Sequence, residues 1–206
     1  KLQDRGHHHI LLACMPKSGS TYLFTILSLM QDFRKVSLVP GFDRREQELD
    51  ILNMIIFNKF NYVAQHHVRY SKVLNNQMNK FNIVPLVLVR DIFDVCISIR
   101  DHFRNESTIG PCAYVPVVSN LDDSELEILI ANLVIPWFLN FYISWLECKK
   151  KLFITYEELN SNPQELLEKI SNFKDSNFHI SDIQNAINLS TKFNARKNKG
   201  EVGSGR

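Results

Sequence analysis

Three groups of residues have the types and spacing to do chemistry on an anionic ligand. The first is Lys17-Ser18-Gly19-Ser20-Thr21, where every side chain is small or cationic. Gly19 lets the backbone approach a ligand closely, the three hydroxyls add donors, and Lys17 adds a full charge. The second is Arg90, directly after the apolar run Asn82–Val89. An arginine at the tip of a buried strand is costly unless it meets an anion; the plainer alternative is an Arg90–Asp94 ion pair on the surface. The third is His66-His67, closing the short run Asn61–Val68. Histidine is the side chain best poised to take a proton near neutral pH.

These groups need elements that hold them together. Ile10 to Met15 is an apolar run of strand length, and Pro16 bars its continuation because it has no N–H for a ladder. Leu23, Ile26, Leu27 and Met30 then recur at helical spacing. Strand, small-residue loop and helix start is the geometry that points free backbone N–H groups at an anion. The common nucleotide loop G-x-x-x-x-G-K-[ST] has glycine before its lysine. Pro16 holds that place here and no glycine lies between Gly6 and Gly19, so this is a phosphate loop of another kind. Asn61–Val68, Asn82–Val89 and Lys151–Tyr156 read as further strands, with Pro85 suggesting an irregular start to the second. Helical patterns fall at Leu49–Phe60, Lys72–Lys80, Ile92–Phe103, Glu125–Glu147 and from Asn162-Pro163 through Phe173. Asp32–Glu48 is polar with a Pro40-Gly41 turn, and Asn105–Asp123 is long enough to favour a functional loop. Strands alternating with helices, and anion donors at strand ends, imply an α/β chain with a parallel sheet binding a multiply phosphorylated ligand.

At 206 residues, 45% hydrophobic and 22% charged, a single globular domain over 1–206 is expected. A net charge of +2 gives no argument for nucleic acid as a partner. Cys14, Cys96, Cys112 and Cys148 lie far apart, which fits reduced thiols in the cytoplasm better than a disulfide framework or a zinc site. No signal peptide is visible, and His7-His8-His9 receive no function. Ile128–Leu146 carries no charge, but Asn132, Pro136, Asn140 and Ser144 favour a buried helix pair over a membrane span. No motif bears on oligomeric state.

The loop P-K-S-G-S-T-Y at Pro16–Tyr22 resembles P-K-S-G-T-T-W of the sulfotransferases that use 3'-phosphoadenosine 5'-phosphosulfate (PAPS). R-D-I-F-D-V-C-I-S-I-R-D-H-F resembles their R-N-P-x-D-x-x-x-S-x-x-x-x-F, with Arg90, Asp94, Ser98 and Phe103 in register. Y-E-E-L-N-S-N-P from Tyr156 is similar to Y-E-D-[LM]-x-x-[ND]-P, and K-G-E-V-G from Lys199 to the K-G-x-x-G core of a third signature. The likeness runs in order from Ile10 to Gly203.

The resemblance implies a three-layer α/β/α fold of P-loop NTPase-like architecture and transfer of a sulfuryl group to an acceptor hydroxyl or amine. It implies that Lys17, Ser18, Gly19, Ser20 and Thr21 bind the 5' side of the donor, and Arg90 and Ser98 the 3'-phosphate. Tyr22 and Tyr156 would lie at the adenine, and Arg196, Lys197, Lys199 and Gly200 would wrap a phosphate. Lys17 would stabilise the leaving oxygen, His67 would be the base with His66 as runner-up, and Ser98 would hold Lys17 away until acceptor binds. No metal is implied, since protein cations cover the phosphates. The acceptor is a small molecule, glycan or lipid. Two other classes stay open: a P-loop kinase with Asp91 holding the metal, and a catalytically silent nucleotide-binding module.

Overall fold

The computed structural model describes residues 6–30, 33–39, 48–110, 113–173 and 180–197. Its centre is β1 (His9–Cys14), buried along its whole length. Successive side chains of a strand point to opposite faces. Ile10, Leu12 and Cys14 therefore enter one core, while Leu11 and Ala13 enter another. A strand buried on both faces has to sit inside a sheet covered by helices on each side.

The sheet has five parallel strands. On one side of β1 lie β3 (Tyr62–His66) and, at the edge, β2 (Arg34–Val36). On the other lie β4 (Ile83–Val89) and, at the far edge, β7 (Leu152–Thr155). A separate hairpin pairs β5 (Ile109–Gly110) with β6 (Ala113–Tyr114). One face is covered by α1 (Ser20–Leu29), α7 (Tyr156–Ser161), α8 (Pro163–Phe173) and α9 (Ile180–Lys197). The other carries α2 (Ile51–Phe57), α3 (Lys72–Lys80), α4 (Ile92–Asn105), α5 (Asp123–Leu133) and α6 (Ile135–Leu146). This is a three-layer α/β/α fold. In register, Ala13 of β1 stands beside His66 and Val87, and Val89 stands beside Thr155. The carboxyl ends of four strands thus share one edge, where such folds bind ligands.

Three features depart from the sequence reading, and a fourth, the division of the apolar stretch into two helices, follows it. The segment read as polar, Asp32–Glu48, contains β2, which forms because Arg34 and Lys35 can point outward from an edge strand. The Pro40-Gly41 turn lies outside the described residues. Pro85 sits within β4, opposite Leu11, and marks no irregular start. Pairing of β4 with β7 begins only at Leu86, so that side of the ladder asks nothing of the missing N–H. The apolar stretch from Asp123 to Leu146 is long and apolar enough to span a membrane by length and composition. It divides at Val134, just before Pro136, and its Phe138, Phe141 and Trp145 belong to the core. Finally, Arg196 and Lys197, expected with Lys199 and Gly200 to wrap a phosphate, lie at the end of helix α9.

Trp145 anchors this second helix layer beneath the site edge. It is fully buried, and its Nε1–H donates to the Val68 carbonyl at 3.0 Å, one residue past His67. Trp145→Phe removes that donor and part of the ring, and should lower the free energy of urea unfolding by about 2–4 kcal/mol. An unchanged midpoint would show that this bond contributes nothing.

Candidate active site

The loop after β1 is built by two left-handed residues. Lys17 has φ 62° and Gly19 has φ 80°. The Ser18 hydroxyl donates to the Met15 carbonyl at 2.5 Å, closing the turn. Ser18 therefore spends its proton on the loop itself, and its backbone N–H is what it can offer a ligand. Among the described residues, no N–H from Lys17 to Thr21 meets an acceptor in the protein. These are the orphan donors of the α1 N-terminus plus the turn before it, a concavity suited to an anion. The Ser20 hydroxyl accepts from Gln65 Nε2 at 2.8 Å, which leaves its own proton to donate. Thr21 is exposed and Tyr22 is half-buried on α1.

Gly19 is required twice over. Its φ is one that L side chains avoid. A Cβ there would also lie 2.9 Å from Cδ2 and 3.0 Å from Cε2 of Tyr156, the first residue of α7. The Tyr156 ring also meets the guanidinium of Arg90, whose carbon lies 4.1 Å from the ring centroid. Arg90 Nη1 donates to the Lys17 carbonyl at 3.1 Å, and Nη2 pairs with Asp94 at 3.3 Å. The Arg90–Asp94 pair does form, but not on the surface: the arginine side chain is 2% exposed and the aspartate 45%. One buried cation thus ties the ends of β1, β4 and β7 together.

The two histidines separate cleanly. His66 is 1% exposed, and its Nε2 accepts the Leu38 N–H at 2.9 Å, which fixes it as the neutral Nδ1–H tautomer. It braces the segment after β2. His67 is half-buried, and its Nδ1 lies 2.8 Å from the Cys14 carbonyl. A carbonyl only accepts, so Nδ1 carries the proton and Nε2 is the basic nitrogen.

Lys17 is held by a residue that sequence reasoning missed. Its Nζ pairs with Glu106 Oε1 at 3.2 Å, and Glu106 Oε2 accepts from His102 Nδ1 at 2.5 Å. Burial alone would raise the Glu106 carboxyl; the His102 hydrogen bond and the Lys17 charge outweigh it and hold it below the usual carboxylate range. His102 and Glu106 stand four apart on one helix face, a spacing visible in the sequence. The hold on Lys17 expected of Ser98 is therefore made by Glu106. Ser98 is half-buried on α4, and its hydroxyl forms no hydrogen bond among the described residues.

Asp91 accepts the N–H groups of Phe93 and Asp94 at 2.9 and 3.2 Å, capping α4. That use of its carboxylate disfavours the metal-holding role a kinase would need. Arg196 and Lys197 close α9, which packs against α1. Lys199 and Gly200 lie outside the described residues. Gly19→Ala should cost about 2–3 kcal/mol in chemical denaturation, from the strained φ and the Tyr156 contact together. In a Tyr156→Ala background the cost should fall to about 1–2 kcal/mol. Equal costs in both backgrounds would mean that the ring does not enforce the glycine.

The comparisons agree with the three-layer fold. The sulfotransferase-domain family model matches residues 7–202. The mouse sulfotransferase SULT7A1, solved in complex with PAP, superposes with a TM-score of 0.65 at 20% identity, covering 95% of this chain and 70% of its own. Retinol dehydratase, solved with androsterone and inactive cofactor PAP, gives 0.60 at 16% identity, with 93% and 66% covered. The sulfotransferase domain from the curacin biosynthetic pathway gives 0.54 at 13%, with 86% and 76% covered. No curated protein matches the chain by sequence. With the family model spanning nearly all of its length, the chain belongs to the sulfotransferase-domain family and is an enzyme of sulfuryl transfer.

Proposed function

We propose that the donor is PAPS and that the acceptor is a small molecule bearing a hydroxyl or amine. The observation that carries this is the convergence at one sheet edge of orphan loop N–H groups, the Lys17 ammonium, the Arg90 guanidinium and a half-buried histidine in its Nδ1–H form. A doubly phosphorylated nucleotide fits such a set, because backbone donors and two cations offset its charge without a metal. Retinol and androsterone, both alcohols, occupy structures of retinol dehydratase. They support a small-molecule acceptor over a glycan. Free thiols at Cys14, Cys96 and Cys148 support a reducing compartment such as the cytoplasm.

PAPS, when bound, supplies a sulfuryl group on a phosphate leaving oxygen. The N–H groups of Ser18, Gly19, Ser20 and Thr21 bind the 5' side. Lys17 stabilises negative charge as it grows on the leaving oxygen. Ser98 binds the 3'-phosphate, and a phosphate arriving at Arg90 takes the place of the Asp94 carboxylate on the guanidinium. Tyr22, half-buried beside the loop, offers its ring to the adenine. Tyr156 shapes this pocket through its contacts with both Gly19 and Arg90. His67 Nε2 takes the acceptor proton; the Cys14 carbonyl keeps the other nitrogen protonated and the ring in place. Arg196, Lys197, Lys199 and Gly200 contribute a second phosphate grip.

Calorimetry should show a clear preference for 3'-phosphoadenosine 5'-phosphate (PAP) over ATP and AMP; tighter ATP binding would reject the donor. With sulfur-35 donor and a panel of alcohols and phenols, Lys17→Ala should lose about 10²–10³ in kcat. His67→Ala should lose about 10²–10⁴, whereas His66→Ala should act through stability instead. Full activity of the His67 variant would remove it as the base.

A further inference from the structure

The Lys17 ammonium meets the far end of α4. Its backbone and its side chain are tethered separately: Arg90 holds the carbonyl, and Glu106 holds the Nζ. Glu106 is the C-cap of α4, with its N–H bonded to the His102 carbonyl. That is the negative end of a helix, where a carboxylate is disfavoured and a cation favoured. Glu106 keeps its charge there because Lys17 pairs with one oxygen and His102 donates to the other. The His102 bond also stops the carboxylate from turning away. The result is a built receptor for the lysine ammonium, formed where the sequence resemblance offered only Ser98.

We propose that Glu106, fixed by His102, is a positioning residue that sequesters Lys17 and must release it when the donor binds. The inference rests on the reading of Lys17 as the donor-binding lysine. Binding then exchanges one ion pair, Lys17 with Glu106, for another, Lys17 with a donor phosphate. The free enzyme thereby loses affinity that it would otherwise have. Once the lysine is on the phosphate, Glu106 has no further part, so the ground state and transition state are affected alike.

The test is a double-mutant cycle on PAP affinity by calorimetry, using Glu106→Gln and Lys17→Met. The ion pair is partly exposed, so its release should tighten PAP binding by about two- to fivefold in Glu106→Gln. In the Lys17→Met background the same substitution should change affinity by less than about 1.5-fold. In turnover, Glu106→Gln should lower KM for the donor while kcat moves less than about twofold. A Glu106→Asp variant, too short to reach by one methylene, should behave like Glu106→Gln if contact is what matters. Equal tightening in both lysine backgrounds would overturn the proposal, because Glu106 would then act only as a negative charge near the phosphates. Unchanged or weaker binding in Glu106→Gln with an unaltered melting temperature would overturn it too. If Lys17→Met alone leaves PAP affinity intact, it is the donor assignment of Lys17 that fails, and the sequestration proposal fails with it.

Discussion

A buried guanidinium organises this protein. Arg90 follows the longest strand of the sheet and has almost no contact with water. Burying a cation is expensive unless its donors are used and an opposite charge is near. Arg90 meets that demand with the Lys17 carbonyl, the Asp94 carboxylate and the face of Tyr156. Each partner comes from a different element: the loop after β1, the first turn of α4 and the first turn of α7. Satisfying one charge therefore fixes three segments of backbone. Tyr156 passes the constraint on to Gly19, where the ring leaves no space for a side chain.

The same arrangement closes a loop that holds a lysine in the left-handed region. Its conformation is closed from inside by Ser18 on Met15 and from below by Arg90 on Lys17. With the turn locked, the N–H groups that follow point outward without acceptors of their own. Preorganised donors of this kind cost nothing to reorient when charge develops. Across β1, the Cys14 carbonyl that ends the strand orients His67. His67 and the loop are thus tied to consecutive residues, Cys14 and Met15, at the end of β1.

Much of this was legible in the linear sequence. The apolar run from Ile10, the break at Pro16 and the helical spacing from Leu23 gave the strand–loop–helix unit, and β4 with Arg90 at its tip followed from the same logic. What was missed has a common cause. β2 is a short edge strand with two exposed basic residues, so it lacks the apolar run that marks an interior strand. Pro85 misled because the rule against proline in a sheet assumes partners on both sides, and here one neighbour begins a residue later. Asn194–Lys197 carry loop-like composition, yet continue a helix already seated on α1.

The sequence by itself determined which residues can carry the chemistry and which local elements present them, because propensity, hydrophobic period and loop composition act over a few neighbouring positions. Residue type and position alone do not separate His66 from His67, since both stand at the same strand end. Only the fold decides that one ring is buried against Leu38 while the other turns toward Cys14. Nor does the sequence alone reveal Glu106 as the partner of Lys17, 89 positions away. That contact exists because α4, which begins two residues after Arg90, brings its far end back to the loop. Pairings between distant segments are set by how layers pack on a sheet, and packing is a property of the whole chain that no local stretch encodes.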